Sequence, residues 1–188
     1  MSQTTDDAPA ARYAVHTAKA VETIVWLANA EPGIDIYHLV KSAFYADKEH
    51  LNRYGRPISG DDYDADTFGP LGRVIYRLIR RDPLELLALG GNGQLPFRVD
   101  GSQGWKVVAD RDADMKLLSA SDVECLQAGL DRVADLPFDD LVDLTHQEPA
   151  YLAANGGRMK YEDLLSRDDP HYKEKSRDLA ETARYAVF

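Results

Sequence analysis

Three aspartates at alternating positions are the feature of this 188-residue sequence that most suggests metal chemistry. Asp62, Asp64 and Asp66 have the spacing that opens a calcium-binding loop, in which carboxylate oxygens ligate the ion. Such a loop also needs a glycine at its sixth position and a glutamate at its twelfth. Those positions hold Thr67 and Arg73 here. The pattern therefore favours a solvated acidic loop or a partner-facing patch over a metal site, and we expect no cofactor.

Four arginines follow the acidic stretch on a predicted helix, at positions Arg73, Arg77, Arg80 and Arg81. Three of them share one helix face, because successive residues are about 100° apart around the axis. Such a face can bind acidic side chains of a protein partner, contact DNA phosphates, or simply face solvent. We predict that Arg73, Arg77 and Arg80, together with Asp62 and Asp64, contribute to a partner-binding surface. A DNA-binding regulator remains an alternative, although the formal net charge of -10 repels phosphate backbones.

The remaining reactive side chains show no pattern typical of catalysis. The five histidines lack the HExxH motif and any paired metal-ligand spacing. His146 lies just before a predicted helix, where a capping or packing role is the commoner use. Cys125 lies in a predicted apolar helix face without a basic neighbour, so we expect a buried filler and no nucleophile. An enzyme of unknown reaction stays an alternative, and it would need a pocket of titratable groups around His146 and residues 62–66.

The composition predicts one cytoplasmic domain over residues 11–188. A chain with 44% hydrophobic residues can bury a core, and its single cysteine excludes an internal disulfide. No run approaches the roughly eighteen apolar residues of a membrane span. Residues 1–10 are polar and contain two aspartates, so we expect a disordered N-terminus and no export signal.

Hydrophobic periodicity predicts a mainly α, compact single-domain helical fold with one small β-hairpin. Apolar residues recur at three- and four-residue spacing in three segments, which predicts helices there. The segments are residues 12–29, 35–53 and 70–82. Asp35 can cap the second helix, and Gly55 supplies the left-handed backbone that ends it. Two β-favouring runs, residues 95–99 and 105–109, are joined by a glycine-containing loop and predict the hairpin.

Two features of the back half carry further predictions. Ser121 and Glu124 have the Ser-x-x-Glu spacing of a capping box and are predicted to begin a helix. The chain ends on the mostly apolar tetrad Tyr185-Ala186-Val187-Phe188, at the end of a helix-compatible stretch over residues 171–188. Such residues are costly to leave in water, so we expect them to pack on the domain. A tail that a partner protein or a protease recognises is the alternative.

Residues 36–82 contain the most specific motifs of the chain. The helix predicted here ends at Tyr54-Gly55-Arg56-Pro57-Ile58, and the stretch Tyr63-Asp64-Ala65-Asp66 precedes Phe68-Gly69-Pro70-Leu71. Pro57 prevents the helix from resuming, and Pro70 suits the first turn of the next helix. We interpret six motif residues as structural, shaping a surface for a partner: Tyr54, Gly55, Pro57, Phe68, Gly69 and Pro70.

These motifs resemble those of the Panacea domain family, the SocA-like antitoxins and related phage-associated proteins. In that family a Lys-Leu-Leu-Tyr-Phe-Ala type helix leads to the Tyr-Gly-x-Pro and aromatic-Gly-Pro motifs. Here residues 40–46 read Val-Lys-Ser-Ala-Phe-Tyr-Ala. Residues 138–152 resemble the Leu-x-x-Leu-(Ser/Thr)-His segment of the family's back half. The resemblance covers roughly residues 15–155.

The resemblance implies an antitoxin of a bacterial or prophage toxin–antitoxin system, and no enzymatic activity. The expected partner is the cognate toxin encoded beside it, which the chain would neutralise by direct protein–protein binding. In SocA-like members neutralisation can involve presentation of the toxin to an ATP-dependent protease, so an adapter role is a further hypothesis. We expect no membrane partner and, given the charge, no nucleic-acid partner.

Overall fold

Helices dominate the fold, and the prediction of a mainly α architecture is confirmed. The computed structural model describes residues 12–90 and 93–182. Its helices within these ranges are α1 (Thr17–Ala30), α2 (Ile36–Tyr54), α3 (Arg73–Ile79), α4 (Pro83–Leu89), α5 (Ala120–Val133), α6 (Phe138–His146), α7 (Pro149–Ala154), α8 (Tyr161–Leu164) and α9 (Tyr172–Thr182). Two antiparallel hairpins accompany them, β1 (Tyr63–Asp66) with β2 (Gly69–Gly72) and β3 (Phe97–Asp100) with β4 (Lys106–Ala109). None of the described helices is long and apolar enough to cross a bilayer.

Helix α2 lies at the centre of the fold, and its ends are the ones predicted. The Asp35 carboxylate accepts a hydrogen bond from the backbone N–H of His38 (2.9 Å), and Gly55 ends the helix at φ 74°. Helix α5 crosses α2 closely at Gly129, where a Cβ would lie 2.4 Å from the backbone oxygen of Ser42. Only glycine permits this helix–helix approach.

The apolar core forms two neighbouring clusters. The first joins α1, α2, α3, α5 and the β3–β4 hairpin and includes Ile24, Leu39, Leu78, Phe97 and Leu126. The second lies along the C-terminal half of α2 and includes Phe44, Leu51, Tyr63, Leu141 and Leu164. Cys125 is buried, as predicted, and burial raises the pKa of its thiol to about 11.

A buried ionic cluster centred on Asp122 joins three helices. The Asp122 carboxylate lies 2.7 Å from the amine of Lys19 on α1 and 3.1 Å from the imidazole of His50 on α2. It also closes the capping box of α5 with Ser119, at 2.8 Å and 3.2 Å. The prediction of a box beginning at Ser121 was therefore wrong by two residues. Both serines have an acidic residue three positions later, and the buried partners of Asp122 select Ser119.

The stretch predicted to be an acidic loop followed by a helix start is instead a second hairpin. Residues 63–66 and 69–72 pair as β1 and β2, and Pro70 lies opposite Ala65 in this ladder. The prediction that Pro70 occupies the first helical turn was wrong, because α3 begins only at Arg73. A proline in an edge strand costs no hydrogen bond when its nitrogen faces away from the ladder. The tight two-residue turn at Thr67-Phe68 makes this pairing possible.

Three further predictions differ from the structure or fall outside it. Helix α1 begins at Thr17 and not at residue 12, because His16 donates its backbone N–H to Ser59 and caps the helix through its side chain. Helix α3 ends at Ile79, before Arg80. The predicted disordered segment over residues 1–10 and the tetrad over residues 185–188 lie outside the described residues.

Candidate functional site

The turn between β1 and β2 is held by side chains from three helices. Four of its backbone carbonyls accept side-chain hydrogen bonds. The pairs are Tyr151 to Asp66 (3.0 Å), His146 to Thr67 (3.2 Å), Tyr37 to Phe68 (3.0 Å) and Lys41 to Pro70 (2.7 Å). The Phe68 side chain projects from this turn and is 53% exposed. An apolar ring is thus fixed in an outward position before any partner arrives.

His146 has the packing role predicted for it. Its Nε2 lies 3.2 Å from the carbonyl oxygen of Thr67, which can only accept a hydrogen bond. Its ring stacks on Tyr151 with centroids 4.7 Å apart and planes 9° apart. The imidazole therefore packs between the backbone of the β1–β2 turn and the ring of Tyr151 and helps to hold the turn in place.

Gly69 is required by the close packing of this turn. Its backbone has φ 92°, and a Cβ would lie 2.3 Å from Oγ1 of Thr145 and 3.2 Å from Nζ of Lys41. A side chain here would meet both a left-handed backbone and a direct clash. The Phe-Gly-Pro motif thus exposes Phe68 and lets the turn lie against α2 and α6.

A half-open cavity of about 680 Å³ lies beside this turn. Its walls are the N-terminal half of α2, the β1–β2 turn, α3, the β3–β4 turn and the start of α6. The residues that line it are Asp35, Ile36, Tyr37, His38, Val40, Lys41, Asp66, Phe68, Gly69, Leu71, Tyr76, Arg80, Gly104, Trp105 and Phe138. We refer to it as the aromatic cavity.

Exposed aromatic side chains concentrate at the rim of the aromatic cavity. Nine large hydrophobic side chains are exposed within the described residues, and four of them line it: Phe68, Tyr76, Trp105 and Phe138. The rings of Phe68 and Phe138 are 5.7 Å apart, and that of Tyr37 lies 4.5 Å from Phe138. A clustered aromatic surface of this kind is typical of binding sites, whereas single exposed apolar residues are ordinary.

Trp105 occupies its rim position at the cost of backbone strain. Its φ is 59°, a conformation that non-glycine residues rarely adopt, and its side chain is 58% exposed. The strained residue is fixed by the hydrogen bond from Ile36 N–H to its carbonyl (3.1 Å). Strain kept on an exposed tryptophan next to a cavity points to a functional role for that side chain.

Lys41 forms the floor of the aromatic cavity. Lys41 is only 2% exposed, and its amine lies 4.9 Å from the centroid of the Tyr37 ring. Burial lowers the pKa of Lys41 to about 7, and the negative charge of Asp66 acts in the opposite direction. Its one hydrogen-bond acceptor is the Pro70 carbonyl, and it makes no ion pair within the described ranges. A buried amine with donors to spare can bind an anion that enters the cavity.

The cavity also contains an ion pair, formed by His38 and Asp35. Nδ1 of His38 lies 2.7 Å from the Asp35 carboxylate, and Nε2 lies 2.8 Å from the carbonyl of Leu136. The hydrogen bond with Asp35 raises the pKa of His38, although burial opposes this. Burial also opposes ionisation of Asp35, but the hydrogen bonds from His38 outweigh it and lower the pKa of Asp35. Both ring nitrogens face acceptors, an arrangement that favours the protonated form of His38 with Asp35 as its counter-ion.

Several of the arginines and aspartates predicted to face a partner form ion pairs within the chain instead. Arg73 pairs with Asp64 (2.8 Å), and Asp62 pairs with Arg158 (2.5 Å). Asp62 and Asp64 therefore belong to an ion-pair network and not to a solvated loop. Within the described part of the chain, no group of three potential metal ligands comes together.

The other two arginines separate at the end of α3. Arg77 lies 3.3 Å from Glu85 of α4, whereas Arg80 follows the helix and lines the aromatic cavity. Arg81, the next residue, has a left-handed backbone with φ 56° and does not line the cavity. The arginines therefore do not share one helix face as predicted, because α3 ends before Arg80. Their role in partner binding stays a prediction.

The predicted motif residues lie at two ends of α2. Gly55 ends the helix, Pro57 is buried beside it, and Tyr54 donates its hydroxyl to Glu124 (2.8 Å). This end is about 20 Å along the helix from Lys41 at 1.5 Å per residue. The Phe68-Gly69-Pro70 turn, by contrast, forms part of the aromatic cavity.

The site residues predicted from the sequence do not include Lys41, Trp105 or Phe138. The sequence around Lys41 does contain a hint, because a lysine within an apolar stretch of a helix is expected to be buried with its neighbours. Trp105 directly follows Gly104 in a hairpin loop, where a large apolar residue is unusual. Neither signal shows that these residues meet, since that depends on the packing of α2 against two hairpins.

A comparison with family models identifies the chain. The model described as antitoxin SocA-like, Panacea domain, matches residues 39–151, more than half of the 188 residues. The matched segment includes Lys41, the β1–β2 hairpin, Trp105 and Phe138. No curated protein matches the chain, and no solved structure does. The family predicted from the sequence motifs is confirmed: this chain belongs to the SocA-like antitoxins of the Panacea domain family.

Proposed function

We propose that this chain neutralises a cognate toxin by direct protein–protein binding and that the aromatic cavity is the centre of the contact. The observation that carries the proposal is the cluster of exposed rings held on two fixed turns around one cavity. Interface hot spots are enriched in Trp, Tyr and Arg and lie in desolvated pockets. The cavity offers Trp105, Tyr76 and Arg80 in one place.

The fixed geometry of the turns favours tight binding. Side-chain hydrogen bonds hold the β1–β2 turn, and the Ile36 N–H holds Trp105. Little conformational entropy is then lost when a partner docks, so more of the contact energy appears as affinity. The toxin would cover rings that are otherwise exposed to water.

The test is co-expression with the protein encoded by the adjacent reading frame, with growth and co-purification as readouts. Phe68→Ala and Trp105→Ala remove exposed rings, so they should leave the melting temperature nearly unchanged while weakening association by tenfold or more, the order of a hot-spot loss. Leu87→Ala is the control, because Leu87 is also a large exposed apolar residue, on α4, and does not line the cavity. Wild-type affinity in both ring variants would contradict the proposal.

The finer form of the proposal makes this antitoxin a cytoplasmic adapter that presents the toxin to an ATP-dependent protease. It is supported by the family membership alone. The lifetime of the toxin, measured with and without this chain in cells that have or lack the protease, is the readout. Neutralisation with an unchanged toxin lifetime would leave binding alone as the mechanism.

A further inference from the structure

We infer that the aromatic cavity receives an acidic side chain of the toxin, whose carboxylate binds the Lys41 amine and the Arg80 guanidinium while the aromatic rim surrounds its apolar stem. This assignment depends on the proposed function, since it names the chemical group that the toxin inserts. It turns a general contact surface into a site selective for a carboxylate.

The first observation is the unpaired buried amine. Lys41 is 2% exposed and faces the cavity, yet its three potential donors have one acceptor, the Pro70 carbonyl at 2.7 Å. A buried amine without a counter-ion is costly to charge, and buried charges are ordinarily paired. A carboxylate that enters the cavity would supply the missing partner, with a charge-assisted hydrogen bond that is about twice as strong as a neutral one.

The second observation is the position of Arg80. It lines the same cavity, whereas Arg73 and Arg77 are occupied by Asp64 and Glu85. Within the described residues Arg80 has no acidic partner. In a chain with a net charge of -10, two cations without ion pairs in one aromatic cavity are a local exception that favours an anionic ligand.

The two acidic residues that line the cavity, Asp35 and Asp66, differ in their partners. Asp35 is bound to His38 at 2.7 Å, and the Asp66 carboxylate accepts the backbone N–H of Thr67 at 2.6 Å. Asp66 makes no ion pair within the described residues, so one carboxylate stands against two basic side chains of the lining, Lys41 and Arg80, that also lack an ion pair. This balance favours a carboxylate over a lysine or arginine side chain as the inserted group.

The first experiment tests the cavity without the toxin. Phenylacetate carries a carboxylate on a ring-bearing stem, and phenylacetamide is its neutral counterpart of the same shape. Each is titrated while the indole N–H resonance of Trp105 is followed by NMR, with Trp26, which does not line the cavity, as an internal reference. We expect phenylacetate to bind about tenfold more tightly than the amide, the ratio given by one charge-assisted hydrogen bond.

Lys41→Met should reduce the preference for the carboxylate, because only Arg80 then remains to bind it, and Lys173→Met, which changes an exposed lysine of α9, should keep the full preference. Equal binding of the two probes to the parent protein would overturn the inference. So would an unchanged preference in Lys41→Met.

The second experiment uses the toxin and separates the two proposals. Lys41→Met and Arg80→Gln should each weaken toxin binding by about tenfold, whereas Arg81→Gln, a cation beside the cavity but outside its lining, should have less than about a twofold effect. If Phe68→Ala and Trp105→Ala lose the toxin while Lys41→Met and Arg80→Gln bind normally, the aromatic contact stands and the carboxylate inference is wrong. If all four variants bind normally, both proposals are wrong.

Discussion

At the scale of single residues, Gly69 and Lys41 together determine how closely the β1–β2 turn packs against α2. Gly69 has no side chain, so the β1–β2 turn can lie against α2, where a Cβ would be 3.2 Å from the Lys41 amine. That approach brings the Pro70 carbonyl within 2.7 Å of the same amine. The result is a lysine buried beneath a turn that carries an exposed phenylalanine.

The burial of Lys41 should make stability depend on pH in a specific window. Folding lowers the pKa of Lys41 from 10.5 to about 7 by desolvation. Between these values the unfolded chain binds the extra proton, so the buried amine destabilises the fold fully below pH 7 and progressively less as pH rises toward 10.5. Lys41→Met should therefore be more stable than the parent at pH 6, and this difference in stability should disappear by about pH 10. Melting temperatures of both proteins at the two pH values measure this, and a pH-independent difference would contradict it.

Gly69 and Gly55 form a matched pair of substitutions. Both have positive φ, at 92° and 74°, but a Cβ at Gly55 meets nothing within 4 Å, while one at Gly69 clashes with Thr145. Gly55→Ala should cost about 1–2 kcal/mol, the price of the backbone conformation. Gly69→Ala should cost distinctly more, because the clash adds to the same backbone term. Chemical denaturation gives both values, and equal losses would show that the turn yields to the methyl group.

At the scale of elements, polar side chains distant in sequence set where helices begin. The N-terminus of α3 has no capping side chain of its own, and Asp61 accepts the N–H groups of Val74 (2.8 Å) and Ile75 (3.0 Å) in its place. Burial raises the pKa of Asp61 to about 7 despite these two bonds. The start of α3 therefore depends on a carboxyl group buried under it.

Asp122 should make the stability of the fold decrease in acid. Burial opposes its ionisation, but hydrogen bonds from His50, Lys19 and the Ser119 N–H outweigh it and hold the pKa of Asp122 well below its usual range. A lowered pKa in the folded state stabilises the fold above the unfolded value of 3.8, and this stabilisation is lost as pH falls toward the folded pKa.

The stability advantage of the parent over Asp122→Asn should thus be largest near neutral pH and shrink markedly by about pH 2–3. Urea denaturation of both proteins at pH 6 and at the acid end is the measurement. An advantage that persists unchanged in acid would show that packing, and not charge, accounts for the role of Asp122.

At the scale of the whole molecule, the charge distribution favours a protein partner over DNA. The chain carries a net charge of -10, and Arg73 and Arg77 are engaged by carboxylates of the same chain. With 32 acidic against 22 basic residues, the chain has no excess of cations to release counter-ions from a duplex, and that release is the main source of non-specific DNA affinity.

We accordingly expect no measurable binding to a random DNA duplex at physiological salt concentration. Fluorescence anisotropy of a labelled duplex, repeated at low salt, tests this. Affinity that falls steeply with added salt would instead support the alternative of a DNA-binding regulator.

The sequence by itself determined the family, the mainly α class and the ends of α2, because caps and periodicity are properties of neighbouring residues. Asp35 and Gly55 act within one helical turn of the ends that they mark. The local pattern at Pro70 was ambiguous, since a proline suits both a first helical turn and an edge strand. Only the tertiary structure selected the strand, through Tyr37, Lys41 and Tyr151 binding the turn from distant helices. The aromatic cavity has the same origin: its rim residues Phe68, Trp105 and Phe138 meet through packing that no local pattern encodes.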